Sequence, residues 1–163
     1  MQSEARDIHH DELAALLHRE YGIPNAAIHF LPKGEDSYVY EVAQEADSRY
    51  FLRLQAHESS AASERAYRAV SALHGGGVAA ALAPISCRTG RLTTRYRTYT
   101  VALFPYVAGE TLYRSPRSDA DIRRAARIVA AIHAQERCLA YEELPHERFE
   151  NPFGDTIRHC LQE

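Results

Sequence analysis

The sequence predicts an α+β fold: a small antiparallel sheet of about five strands with one packed helix, leading into a second, helical segment. Two observations carry this. The hydrophobic period runs helical, alternating, helical, β-rich and helical again along the chain. The links between the first three β-type runs are also too short for the crossover that parallel strands require. With 163 residues, 45% of them hydrophobic, the chain has the material for one compact domain, or for one and part of another.

Residues 11–21, DELAALLHREY, place Leu13, Leu16, Leu17 and Tyr21 on one helical face. Asp11 and Glu12 suit the positive end of that helix, and Gly22 and Pro24 stop it. Ala27 to Leu31 reads as a strand closed by Pro32, Lys33 and Gly34. Ser37 to Val42 alternates, with Tyr38, Tyr40 and Val42 on one side and Ser37, Val39 and Glu41 on the other. A polar turn from Gln44 to Ser48 leads into a third strand, Arg49 to Leu54. There Phe51, Arg53 and Gln55 oppose Tyr50, Leu52 and Leu54.

A second helix is expected from Ser59 to His74, with Ala62, Ala66, Val70 and Leu73 as its apolar stripe and Gly75, Gly76 and Gly77 as its end. Val78 to Ile85 is small and apolar, and Pro84 there suggests a sheet edge or the start of a strand. Arg88 to Arg91 is a turn, and the Thr- and Tyr-rich stretch from Leu92 to Phe104 supplies one or two further strands. Beyond Pro105 comes a loop-rich connector. Ser118 then caps a third helix, with Asp121 in the place of the usual capping-box glutamate. Its stripe is Ile122, Ala126, Val129, Ile132 and His133, and a short terminal helix is expected near Asp155 to Leu161.

Composition removes several classes of function. The 19 Lys and Arg against 22 Asp and Glu leave a formal charge of −3, with no general attraction to nucleic acid or anionic membranes. No apolar run approaches the roughly 18–20 residues of a spanning helix, and the polar start lacks an export signal, so a cytoplasmic location is the default. Cys87, Cys138 and Cys160 are scattered and form no CxxC pair, which fits reduced thiols rather than a disulfide framework. The 9 histidines offer no HxxxH arrangement, so no metal site is expected.

The order of elements is how the nucleotide-binding lobe of a kinase is built. Four places bear on that reading. Gly34, in the turn before Ser37, allows close backbone approach to a phosphate, and Ser37 offers a hydroxyl and an amide; the same residues also make an ordinary hairpin turn. Arg53 stands where a kinase strand holds its phosphate-anchoring lysine, although a charge bracketed by leucines is also a common snorkelling edge residue. Glu64 is placed to pair with Arg53, with Glu58 as competitor and a solvated helix face as the plain alternative. Pro105, Tyr106 and Val107 would present backbone groups to an adenine edge, Pro105 with its carbonyl only.

Together, Gly34 to Tyr40, Tyr50 to Leu54, Leu73-His74 with the glycines after it, Ala83-Pro84-Ile85 and Leu103 to Gly109 resemble the aminoglycoside phosphotransferase family, and within it the spectinomycin-phosphotransferase-like branch. Ala130 to Ala134 and Leu144 to Phe149 look like the same branch, so the likeness runs collinearly through nearly the whole chain. The resemblance implies a protein-kinase-like fold, with a nucleotide-binding N-lobe over residues 1–107 and a connector and helical start of a truncated C-lobe over 108–163. It implies transfer of the γ-phosphate of ATP, with Mg²⁺, to a hydroxyl of a small molecule such as an antibiotic. Arg53 would anchor the phosphates, Glu64 would be its partner, Gly34 and Ser37 would belong to the phosphate loop, and residues 105–107 would form the adenine hinge.

The sequence departs from that family in two ways. Arg53 replaces the usual lysine, and a planar fork is no simple substitute for a point charge. No H-x-D-x-x-x-x-N stretch and no following metal-binding Asp is present before Glu163, so catalytic and metal residues are expected to be none and the chain alone inactive. As a lobe without its mate it would meet a C-terminal lobe or associate with itself. A free-standing, non-catalytic nucleotide- or partner-binding module and an unrelated α+β domain are the alternatives.

Overall fold

The computed structural model describes residues 3–32, 36–44, 48–56, 60–109 and 118–135. Helix α1 (His10–Tyr21) leads into β1 (Ala27–Leu31), β2 (Ser37–Ala43) and β3 (Arg49–Gln55), followed by α2 (Ser60–Gly75), β4 (Thr94–Tyr96), β5 (Tyr99–Pro105) and α3 (Asp119–His133). The five strands form one antiparallel sheet in the order β1-β2-β3-β5-β4. The first three strands are the expected meander. The chain then leaves through α2, and β5 returns on the free edge of β3, pairing Leu52 with Leu103 and Leu54 with Val101.

One face of the sheet meets α1 and forms the core. Leu13, Leu16 and Leu17 from the helix lie in one buried cluster with Tyr40, Val42, Leu52, Leu54, Val101 and Leu103. These are the residues that strand alternation sends to a single side. At the end of α1, Gly22 adopts φ 74°, and the amides of Gly22 and Ile23 donate to the carbonyls of His18 and Leu17. The helix start is held differently. Its side chain at position 9 makes no cap; instead the His9 amide donates to the Tyr96 hydroxyl at 3.0 Å, which in turn donates to Glu12 at 2.9 Å. α1 is thereby fastened to the β4–β5 hairpin.

Three expectations are corrected. The stretch from Val78 to Ile85 forms no continuous strand: it turns after α2, and beside Pro84, where a sheet edge or strand start was expected, Ile85 makes a single bridge to Leu103. Helix α2 does not bury its alanine stripe either. Ala66 is exposed, and the buried residues are Ser63 and Glu64, because polar partners await that face. In α3 the Ser118–Asp121 capping box forms as expected, but the stripe beginning at Ile122 buries nothing; Ile122 is 58% and Val129 50% exposed. The terminal helix near Asp155 lies outside the described residues, as do Cys138 and Cys160. Cys87 is buried and free. No helix among the described residues is long and apolar enough to cross a membrane.

Candidate functional site

The second face of the sheet, opposite α1, sets Ser37, Arg53 and Thr100 among the apolar Val39, Phe51, Ala102 and Phe104. Arg53 sits in the middle of it, flanked across the ladder by Val39 on β2 and Ala102 on β5. Neither neighbour is long enough to cover a guanidinium, and Arg53 is half-buried. Its Nε donates to the Ser37 hydroxyl at 3.3 Å, and its Nη1 donates to the Tyr67 hydroxyl at 3.4 Å. Ser37 is itself buried. Both contacts are long for charge-assisted hydrogen bonds and occupy the smaller part of the fork, leaving most of its N–H donors for another group.

The expected ion pair between Arg53 and Glu64 is not made. The Glu64 carboxylate turns to the segment entering β4, where it accepts from the Leu92 amide at 3.0 Å, the Thr93 amide at 2.9 Å and the Thr93 hydroxyl at 2.8 Å. Arg68, one turn on, stands 3.9 Å away on the exposed side. Burial works to raise the Glu64 pKa, but the Leu92 amide and the Thr93 hydroxyl and amide outweigh it and hold the carboxyl below its usual range. A carboxylate this well supplied with donors has no need of Arg53. Its rival in the sequence, Glu58, lies outside the described residues, as does Gly34 of the phosphate loop.

Tyr67 is the residue that sequence reasoning missed. It lies three positions after Glu64 and so shares its helix face, a signal available from spacing alone. Its ring packs edge-on against Phe104 at 5.5 Å, and Phe104 packs edge-on against Phe51 at 6.3 Å. Phe104 is the residue just before the expected hinge, so the phenol that reaches Arg53 is held by the end of β5.

At the hinge, β5 ends at Pro105, opposite Tyr50. The Tyr106 amide donates to the Arg49 carbonyl at 3.3 Å, extending the ladder by one bond. Its ring lies 4.0 Å from the Arg49 guanidinium, which is also paired with Glu41. Tyr106 is thus committed to the sheet, whereas Pro105 is exposed and Val107 is 67% exposed. The structure brings Ser37 and Arg53 together, sets Glu64 apart with a different partner, and places 105–107 at the end of the neighbouring strand. Among the described residues no cluster of three His, Cys, Asp or Glu could hold a metal ion.

A shallow depression between α1 and β4 is lined by Glu12, Arg19, Arg95 and Arg97 among others, but there Arg97 is already paired with Glu12 at 2.8 Å. It lies against the helix on the core side and shares no residue with the Arg53 face.

The structure is similar to that of a spectinomycin phosphotransferase, APH(9)-Ia, in complex with ADP and spectinomycin, with a TM-score of 0.79 at 16% identity over 96% of this chain. It is also similar to an AMP-bound complex of spectinomycin phosphotransferase APH(9)-Ia, with a TM-score of 0.65 at 14% identity over 95% of this chain. The chain spans about half the length of these proteins, 47% and 53% respectively. At such identity the likeness establishes the fold, which is that of the N-terminal lobe of a kinase-like phosphotransferase. Among curated proteins none matches significantly. Residues 27–157, most of the sequence and every strand of the sheet, match the phosphotransferase enzyme family (APH), and the chain belongs to that family.

Proposed function

We propose that residues 1–107 are the nucleotide-binding lobe, and 108–163 the connector and first helical part of the second lobe, of an ATP-dependent phosphotransferase acting on a hydroxyl of a small, aminoglycoside- or spectinomycin-like molecule. The observation that carries this reading is Arg53: a half-buried cation in the middle of the sheet face that α2 adjoins, joined to hydroxyls and to no carboxylate among the described residues. A cation so placed is suited to a phosphate chain. Family membership and the nucleotides bound by the two similar structures support the same ligand.

The reaction of such an enzyme moves the γ-phosphoryl group of ATP from the β-phosphate oxygen to an alcohol oxygen, releasing ADP and a phosphate monoester while the alcohol proton passes to a base. The residues here supply only part of that. Ser37 and Arg53 would hold the phosphates, and the backbone around Pro105 and Val107 would meet the base. No H-x-D-x-x-x-x-N stretch occurs in the 163 residues to orient the acceptor. Magnesium would neutralise the transferring group in such an enzyme, but the described residues offer no set of ligands that fits it. The 163-residue chain by itself is therefore expected to bind nucleotide in the cytoplasm without transferring phosphate.

Calorimetric unfolding with and without ADP tests the reading. Ligand at about a hundred times its Kd adds about 2.7 kcal/mol of stability, enough for a clear rise in Tm. The rise is expected in the native chain and not in Arg53→Ala. An equal rise in both, or none in either, would remove Arg53 from the site. Phosphorylation of spectinomycin by the purified chain would refute the expected inactivity.

A further inference from the structure

We propose that Tyr67, rather than Glu64, is the residue that positions Arg53 for the phosphate chain, so that the anchor is held by two hydroxyls and keeps its full positive charge for the ligand. This rests on the nucleotide-binding reading given above and deepens it at the same site.

The geometry divides the face of α2 between two tasks. Glu64 braces the helix to the chain ahead of β4: its carboxylate faces two amides and a hydroxyl, and Thr93 is held from the other side by Ser60, whose hydroxyl lies 3.3 Å from that of Thr93. Breaking this to reach Arg53 would strand buried amides at Leu92 and Thr93. Tyr67, one turn along the same face, delivers its hydroxyl to Nη1 of Arg53 while Ser37 takes Nε. The two hydroxyls therefore approach the guanidinium at different nitrogens, Nε and Nη1.

The choice of partner matters electrostatically. A carboxylate beside the anchor orients a cation but also offsets its charge, whereas a phenol and a serine hydroxyl orient it and offset nothing. An arginine needs this help more than a lysine does, because a planar fork must be turned correctly before it meets a phosphate. The Tyr67 ring also packs on Phe104, directly ahead of Pro105. One side chain thus couples the orientation of the phosphate anchor to the strand end proposed to meet the base.

The test compares ADP with adenosine, which share the base and ribose and differ in the phosphates. Affinities for both are measured calorimetrically on the 163-residue chain and on Tyr67→Phe, Glu64→Gln, Glu58→Gln and Arg53→Ala. Tyr67→Phe keeps the ring against Phe104 and removes only the hydroxyl. It is expected to weaken ADP by about three- to tenfold, the effect of one ordinary hydrogen bond at this 3.4 Å length, with adenosine unchanged and Tm nearly so. Glu64→Gln is expected to lower Tm with the ADP-to-adenosine ratio kept. A native ratio in Tyr67→Phe, or an equal loss of both ligands, overturns the proposal, as does a ratio that falls in Glu64→Gln or Glu58→Gln but not in Tyr67→Phe. If the native chain does not favour ADP and Arg53→Ala changes nothing, the nucleotide reading itself fails and takes this proposal with it. The Tyr67→Phe result decides the matter even if a glutamate variant does not fold.

Discussion

Among the described residues Glu64 is the one buried charge. A buried carboxylate is costly unless its oxygens are satisfied, and here the Leu92 and Thr93 groups satisfy them. Since these donors hold the folded pKa below the ordinary value, Glu64 contributes stability that is fully present above the unfolded value of about 4.3. That contribution disappears as the pH falls through the lower, folded value. Glu64→Gln places an amide NH₂ among donors and is expected to cost about 1–3 kcal/mol at neutral pH. Denaturant unfolding followed from pH 7 to pH 3 checks the sign: the gap between native and variant should be widest at the neutral end and narrow in acid. A gap that stays constant across the range would mean that the charge of Glu64 does not matter to the fold. Arg53 shows the complementary case, a half-buried charge joined to neutral groups, and is the natural residue to meet an anion.

At the scale of elements, α1 ends in a way that makes its own prediction. Gly22 sits at φ 74°, and a Cβ built there would lie 2.9 Å from Nη2 of Arg88, the movable tip of a long side chain. The steric problem is thus one that Arg88 can relieve, and the remaining cost is the left-handed backbone. Gly22→Ala is expected to lose about 1 kcal/mol and Gly22→Asn less, since Asn tolerates that conformation. Chemical denaturation of the two variants checks the order; equal losses would point to the Arg88 clash instead. The same element shows why much of the fold was legible. Leu13, Leu16 and Leu17 state a helical face in the sequence, and Tyr40, Val42, Leu52 and Leu54 state a strand face, because only apolar residues can lie between them. On α2 that logic misleads: its inner face is chosen by what the Leu92–Thr93 amides require, and a helical stripe of small alanines says nothing about amides nearly thirty residues away. That Arg53 and Ser37 share a face was readable because strand alternation fixes their side. The partner of Arg53 was not, since Glu64 and Tyr67 share a face and only tertiary hydrogen bonds choose between them.

Across the whole molecule, the sheet and α1 form a closed core, whereas α3 keeps an amphipathic pattern with its apolar side uncovered. Ile122 and Val129 lie seven residues apart, two turns along one face, and both are at least half exposed. An exposed apolar stripe of this kind is the sort of surface that promotes association. The capping box at Ser118 and Asp121 supports the helix start locally, which lets α3 keep its shape without burying a face. The expected consequence is association of the chain with itself in solution through α3. Sedimentation at increasing concentration should show larger species in the native chain, and fewer in the double variant Ile122→Ser with Val129→Ser. Because these side chains bury so little, the double variant should unfold at nearly the native Tm and bind hydrophobic dye more weakly. A double variant that associates as readily as the native chain would move the sticky surface elsewhere. One that loses Tm instead would mean that α3 is packed in solution and that its stripe already has a cover.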